Sequence, residues 1–183
     1  MCGQDRGAGR LGDTGNRPVE PDELAVHALT TAEALLVWGI RHWVACLKAK
    51  TDPVPLMTAG FGSGGVAQVV RPLESILVVT LDAATAPRDV RCTHCATVGD
   101  GERDLLAAVA FEQACRPTDT LEKLREWLPA ASARLAKELV AEIAEILQRQ
   151  GLRVPLRREY DAGSLGGKYP DIRIAVPASL SVH

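Results

Sequence analysis

Aromatic side chains are scarce in this sequence: two Phe, two Tyr and three Trp make up 4% of 183 residues. The core must therefore be aliphatic, with Trp38, Trp43 and Trp127 serving as large single core or interface side chains. A surplus of charge is missing as well. Lys and Arg number 21 against 23 Asp and Glu, a formal net charge of -2, and no basic stripe runs along the chain. Phosphate recognition normally shows as a strongly basic domain or stripe, so the balance argues against nucleic-acid binding. No apolar run reaches bilayer length either. The most apolar window, Ala34 to Leu47, is interrupted by Arg41 and His42 and falls short of the roughly 20 residues a spanning helix needs, so it reads as a buried helix and no membrane span is expected. The opening MCGQDRGAGRLGDTG lacks the apolar segment of a secretion signal, and the five cysteines are an odd number. Both features fit a reducing cytoplasm better than a disulfide-stapled secreted fold.

What is present is helical periodicity. Residues 1–20, rich in Gly and Asp and poor in large apolar side chains, read as a flexible arm, because they cannot offset the entropy of being ordered. A first helical region opens at PDELAVHAL, and a second start falls at Thr30, where Glu33 completes capping-box spacing. Two prolines in TDPVP should end that helix and impose extended geometry. The glycines of MTAGFGSGGVAQ then read as a loop between helices. A phosphate cradle there would require a buried strand before it, and DPVPL is a poor strand.

VAQVVRPLESILVVTLDAA contains a strand-like ILVVT, but Val66, Val69, Val70, Leu73, Ile76, Leu77 and Leu81 keep helical spacing over the longer window, which predicts a helix with Pro72 in its first turns. Asp100 is the expected N-cap of a helix reaching Cys115, and Asp119 or Thr120 the cap of LEKLREWLP. In AASARLAKELVAEIAEILQRQ, Leu135, Leu139, Ile143 and Ile146 form the expected apolar stripe, Glu145 and Arg149 an i,i+4 pair, and Gly151 the stop. Prolines and glycines after Leu152 predict an extended tail over 152–183. The expected architecture is all-α: one bundle of about five or six helices over 21–151, between the arm and the tail.

Chemistry-bearing residues are few. Cys92 and Cys95 have C-x-x-C spacing, which suits either one metal or a disulfide, and His94 lies between them. A structural zinc site needs four ligands, so Cys115 together with a histidine such as His94, or with Cys46, is the candidate to complete a set with the pair. A redox-sensitive dithiol and ordinary packed cysteines are the other readings of the same residues. His42 lacks a positioned partner for catalysis and reads as a packed or surface histidine. Glu138 and Glu142 lack the histidines of a di-iron motif and read as solvated surface. Arg157, Arg158 and Lys168 read as charges that solvate the tail.

The order of landmarks, LLVWGIRHW, the cysteine pair, GERDLLAAVA and a closing helix ending in GLRVP, resembles a group of small uncharacterised helical proteins of alphaproteobacteria over about residues 32–155. The cysteines of that group lie closer together than Cys92 and Cys95. The resemblance implies an all-helical fold and brings no activity with it. Without a catalytic set or a cofactor fingerprint, the leading expectation is a non-enzymatic cytoplasmic interaction or regulatory protein with a protein partner, and self-association as a dimer fits its apolar helices. The alternative is a small metal-binding, zinc for example, or redox-responsive protein built on Cys92 and Cys95.

Overall fold

The computed structural model describes residues 23–160. The arm expected at 1–20 and residues 161–183 of the tail lie outside the described residues. The fold is all-α, with six α-helices among the described residues, in chain order: α1 Thr31–Ala49, α2 Val54–Ser63, α3 Val70–Ala83, α4 Asp100–Gln113, α5 Pro117–Arg125 and α6 Ala130–Arg149. Among the described residues there is no strand, only a single antiparallel bridge between Ala25 and Thr97. ILVVT belongs to α3, as its longer-range periodicity requires. Pro72 occupies the third helical position, where its missing N–H would have had no intrahelical acceptor.

The central element is α4. Every residue from Leu105 to Phe111 is buried, and Ala107, Ala108 and Ala110 let neighbouring helices approach closely. Leu36, Phe61, Leu73, Ile76, Leu124, Ile143 and Leu147, from the other five helices, belong to the same core and are all fully buried. The interior is aliphatic apart from a few rings, in keeping with the composition.

Several local expectations are corrected. PDELAVHAL yields only a short 3-10 turn at Val26–Ala28, because Val26 N–H donates to the Ala96 carbonyl and Val98 N–H to that of Leu24, which holds this stretch extended on either side. TDPVP does not break the chain into an extended run. Pro53 precedes α2 and Pro55 sits in its first turn, where proline costs no hydrogen bond, and Asp52 Oδ1 accepts from Val54 N–H at 2.9 Å.

Gly60 and Gly62 are helical rather than part of a loop. A Cβ at Gly60 would fall 2.1 Å from the Trp38 ring, and one at Gly39 would fall 2.7 Å from Phe61. These glycines therefore set how closely α1 and α2 pack. The cap of α4 is Gly99 rather than Asp100, and α5 begins at Pro117, ahead of Asp119 and Thr120. On α6 the buried face consists of Ala133, Ala136, Val140, Ile143, Ala144, Ile146 and Leu147. Leu135, expected in that stripe, is 55% exposed; small alanines facing α4 and α3 rotate the contact away from it.

The ends of α4 and α6 follow one pattern. At Gly151, with φ of 71°, the amides of Gly151 and Leu152 turn back to the carbonyls of Gln148 and Leu147, the double closure of a Schellman motif. Cys115 takes the same left-handed position at the end of α4 with φ of 57°. It is thus outside the helix and exposed.

Candidate functional site

Two buried carboxylates tie irregular chain to the bundle. The first is Glu102, in the opening turn of α4 and fully buried. Arg41, in the middle of α1 and 4% exposed, faces it through a two-pronged contact, Nε to Oε1 at 2.7 Å and Nη2 to Oε2 at 3.0 Å. Guanidinium and carboxylate planes match in such a fork, which makes arginine the suitable cation for a buried pair. Both partners also bond main chain. Arg41 Nη1 donates to the Cys95 carbonyl at 2.8 Å and Nη2 to that of Thr97 at 2.7 Å. Glu102 accepts from Gly99 N–H at 2.8 Å and from Arg91 N–H at 3.2 Å. Burial pushes the Glu102 carboxyl above the usual carboxylate range, against the opposing pull of Arg41 and the two amides.

The chain so held is the connection from α3 to α4, residues 84–99, longer than the usual turn between packed helices. Its other attachments are Thr85 N–H to the Trp127 carbonyl at 3.0 Å and Gly101 N–H to that of Asp89 at 2.9 Å. Arg88 pairs with Asp104, which also meets Lys123 Nζ at 3.0 Å, and the Arg88 guanidinium lies 5.7 Å above the Trp127 ring. A Cβ at Gly99 would strike the Asp89 carbonyl at 2.6 Å, so glycine is required where the loop crosses the start of α4. At the outer end, Cys92 and Cys95 are joined in a disulfide with Cα atoms 5.2 Å apart. Cys92 is exposed and Cys95 half-buried.

The second carboxylate is Glu33, fully buried in the first turn of α1. The Thr30–Glu33 capping box is present: Thr30 N–H donates to Glu33 Oε2 at 2.7 Å and Glu33 N–H to Thr30 Oγ1 at 3.3 Å. Arg157 adds two contacts, at 2.6 and 2.8 Å, and Tyr160 Oη donates to Oε1. Arg157 is therefore a fixed anchor, correcting its expected role as a solvating charge. Between α6 and this anchor, Gln113 clamps the chain. Its Nε2 donates to the Leu152 carbonyl at 3.0 Å and its Oε1 accepts from Val154 N–H at 2.9 Å. Residues 152–160 thus run as a strap from the end of α6 across α4 to the start of α1.

Burial alone would raise the Glu33 pKa, but the hydrogen bonds from Arg157, Tyr160 and Thr30 together hold it below the usual carboxylate range. Burial, followed by the Glu33 carboxylate, pushes the Tyr160 hydroxyl far above the ordinary tyrosine value, so it remains a donor. A carboxyl with a depressed folded-state pKa contributes stability above its unfolded-state pKa, and that stability is lost as pH falls through the folded value. The stability gap between wild type and Glu33→Gln is accordingly expected to be constant above about pH 5 and to narrow progressively in more acidic buffer. Denaturant titrations across a pH series measure it; Glu102, present in both proteins, cancels from the difference. A gap that widens with acid contradicts this assignment.

The residues singled out by sequence are only partly brought together. Cys92 and Cys95 are joined, exposed His94 lies in the turn between them, and Cys115 sits at the far end of α4. Among the described residues, no three His, Cys, Asp or Glu side chains converge as a metal-holding group. His42 packs its ring on Trp38 at 4.5 Å, with Nδ1 2.8 Å from the Trp38 carbonyl. Glu138 and Glu142 are exposed. Sequence reasoning missed Arg41, Glu102 and Gln113. The available signal was a lone arginine inside the most apolar window, since a buried cation needs a buried partner.

Fold and site define a class, a small helical bundle with an ion-paired loop that carries a cysteine bridge. No protein-family model matches the chain, and no match was found among curated proteins or solved structures.

Proposed function

We propose that this chain is a non-enzymatic interaction or regulatory protein of the cytoplasm that binds a protein partner through its helical surface. One observation carries the reading: large apolar side chains are presented outward from two neighbouring helices. Val78 on α3 is 42% exposed and Leu135 on α6 is 55% exposed. The helices run antiparallel. Thr85, just after α3, bonds to Trp127, just before α6, while Gly65, ahead of α3, approaches Gln150 at the end of α6. Val78 and Leu135 therefore stand at about the same height along the bundle, while the half-buried Val79 and Leu139 pack onto the core. Apolar side chains left in water favour association, and these two mark the stretch of α3 and α6 where a partner would seat.

The reading is tested with a photo-crosslinking residue placed at Leu135 or, as a control, at Glu122 on α5, in cells that make the protein naturally. The expected result is one discrete adduct from position 135 that position 122 does not give. Sedimentation of the purified chain identifies a second copy as that partner if it is dimeric. Monomeric protein with no adduct above the control overturns the proposal.

A further inference from the structure

The loop 84–99 carries a second feature that association through α3 and α6 does not use. The Cys92–Cys95 bridge closes a short arch, and both feet of that arch stand on the same buried ion pair. Arg91 N–H, immediately before the first cysteine, donates to Glu102 Oε1, and the Cys95 carbonyl accepts from Arg41 Nη1. Beyond Cys95 the chain stays fixed, with the Thr97 carbonyl on Arg41 and Ala96 and Val98 bonded to the segment at Leu24–Val26. Cys95 N–H also donates to the Cys92 carbonyl at 3.1 Å, so the turn between the sulfurs is itself hydrogen-bonded. The pair holds the two cysteines together, and by reciprocity the disulfide holds the arch on the pair.

The geometry points to Cys92–Cys95 as a thiol–disulfide exchange site whose oxidation state sets how tightly loop 84–99 is held on the bundle. Cys92 is exposed and Cys95 half-buried, so an incoming thiolate of a small thiol such as glutathione reaches the Cys92 sulfur first. That attack forms a mixed disulfide on Cys92 and breaks the Cys92–Cys95 bond. Cys95 leaves as a thiolate and takes a proton from water. A second thiolate then attacks the glutathione sulfur of the mixed disulfide, releasing glutathione disulfide and the Cys92 thiolate, which is protonated in turn. Two thiols are oxidised, and the protein gains two electrons and two protons. In the reduced chain the arch is an open turn, and its feet lose the covalent tie that kept both on Arg41 and Glu102.

The experiment equilibrates the full chain in glutathione buffers of graded composition, alkylates free thiols, and reads the tryptic peptide 92–103, which contains both cysteines. Amide exchange is followed at Val26, Val98 and Gly99, with α6 amides as the internal control. A single two-electron transition in the peptide is expected, with exchange at the three amides about tenfold faster in the reduced form and α6 unchanged. The Cys92→Ser variant is expected to show the fast exchange in every buffer. The proposal is overturned if both thiols remain free in oxidising buffer, or if exchange at the three amides is the same in oxidised, reduced and Cys92→Ser protein.

Discussion

Replacing Arg41 by Met lowers the unfolding free energy by roughly 3–5 kcal/mol, because the Glu102 carboxyl is left buried without its counter-charge. The side chains are similar in length, so loss of packing is a small part of the effect. The double variant Arg41→Met with Glu102→Leu discriminates further. Buried ion pairs can often be exchanged for apolar residues at little cost, but here the pair also satisfies main chain. The carbonyls of Cys95 and Thr97 and the amides of Gly99 and Arg91 all terminate on it. Each buried polar group left without a partner costs about 1–3 kcal/mol. The double variant is therefore expected to recover less than half of the loss, as read by urea titration. Full recovery would mean that the loop is held by other contacts.

Gln113→Leu is the second large effect. Leucine fills a similar volume but has neither a donor nor an acceptor, so Val154 N–H and the Leu152 carbonyl both lose their partner. Val154 is 4% exposed and water cannot readily replace the amide. A loss of about 2–4 kcal/mol is expected from the orphaned groups and the loosened strap. The site of the damage is as informative as its size. Limited trypsin digestion should cut the variant after Arg153 or Arg157 while the bundle remains intact. The wild type, with Arg157 engaged by Glu33, should resist cleavage there under the same conditions. Cleavage at equal rates in the two proteins would show that Gln113 does not hold the strap.

Local features of this fold were legible in the sequence and distant ones were not. The Thr30–Glu33 capping box, the helical register of α3 through ILVVT and the Gly151 stop each depend on residues within a few positions of one another, which is the range over which periodicity and capping patterns work. Proline and glycine misled at α2 because each has two opposite uses. Pro55 can end one helix or begin another, and Gly60 can loosen a turn or admit a tryptophan ring. The α6 stripe was misjudged at Leu135 because alanines, weak hydrophobes on any scale, occupy the tightest contact.

The ion pairs lie beyond local patterns altogether: Arg41 and Glu102 are 61 positions apart, and Glu33 and Arg157 are 124 apart. By sequence alone Arg41 is an interruption of an apolar window. Its meaning depends on a partner that helix packing alone brings within reach. The cysteine spacing was visible, but the arch standing on that pair was not.

One buried ion pair, Arg41 with Glu102, holds the second half of the long connection between α3 and α4, from Arg91 to Gly99, to the bundle. Native-state hydrogen exchange of wild type and Arg41→Met tests it directly, read at the amides of Arg91, Val98 and Gly99 and at those of α6. In wild type the three loop amides should be well protected; in the variant they should lose protection together while α6 still exchanges only through global unfolding. Loop amides that exchange at unstructured-chain rates in wild type, or that keep their protection in Arg41→Met, would contradict the account.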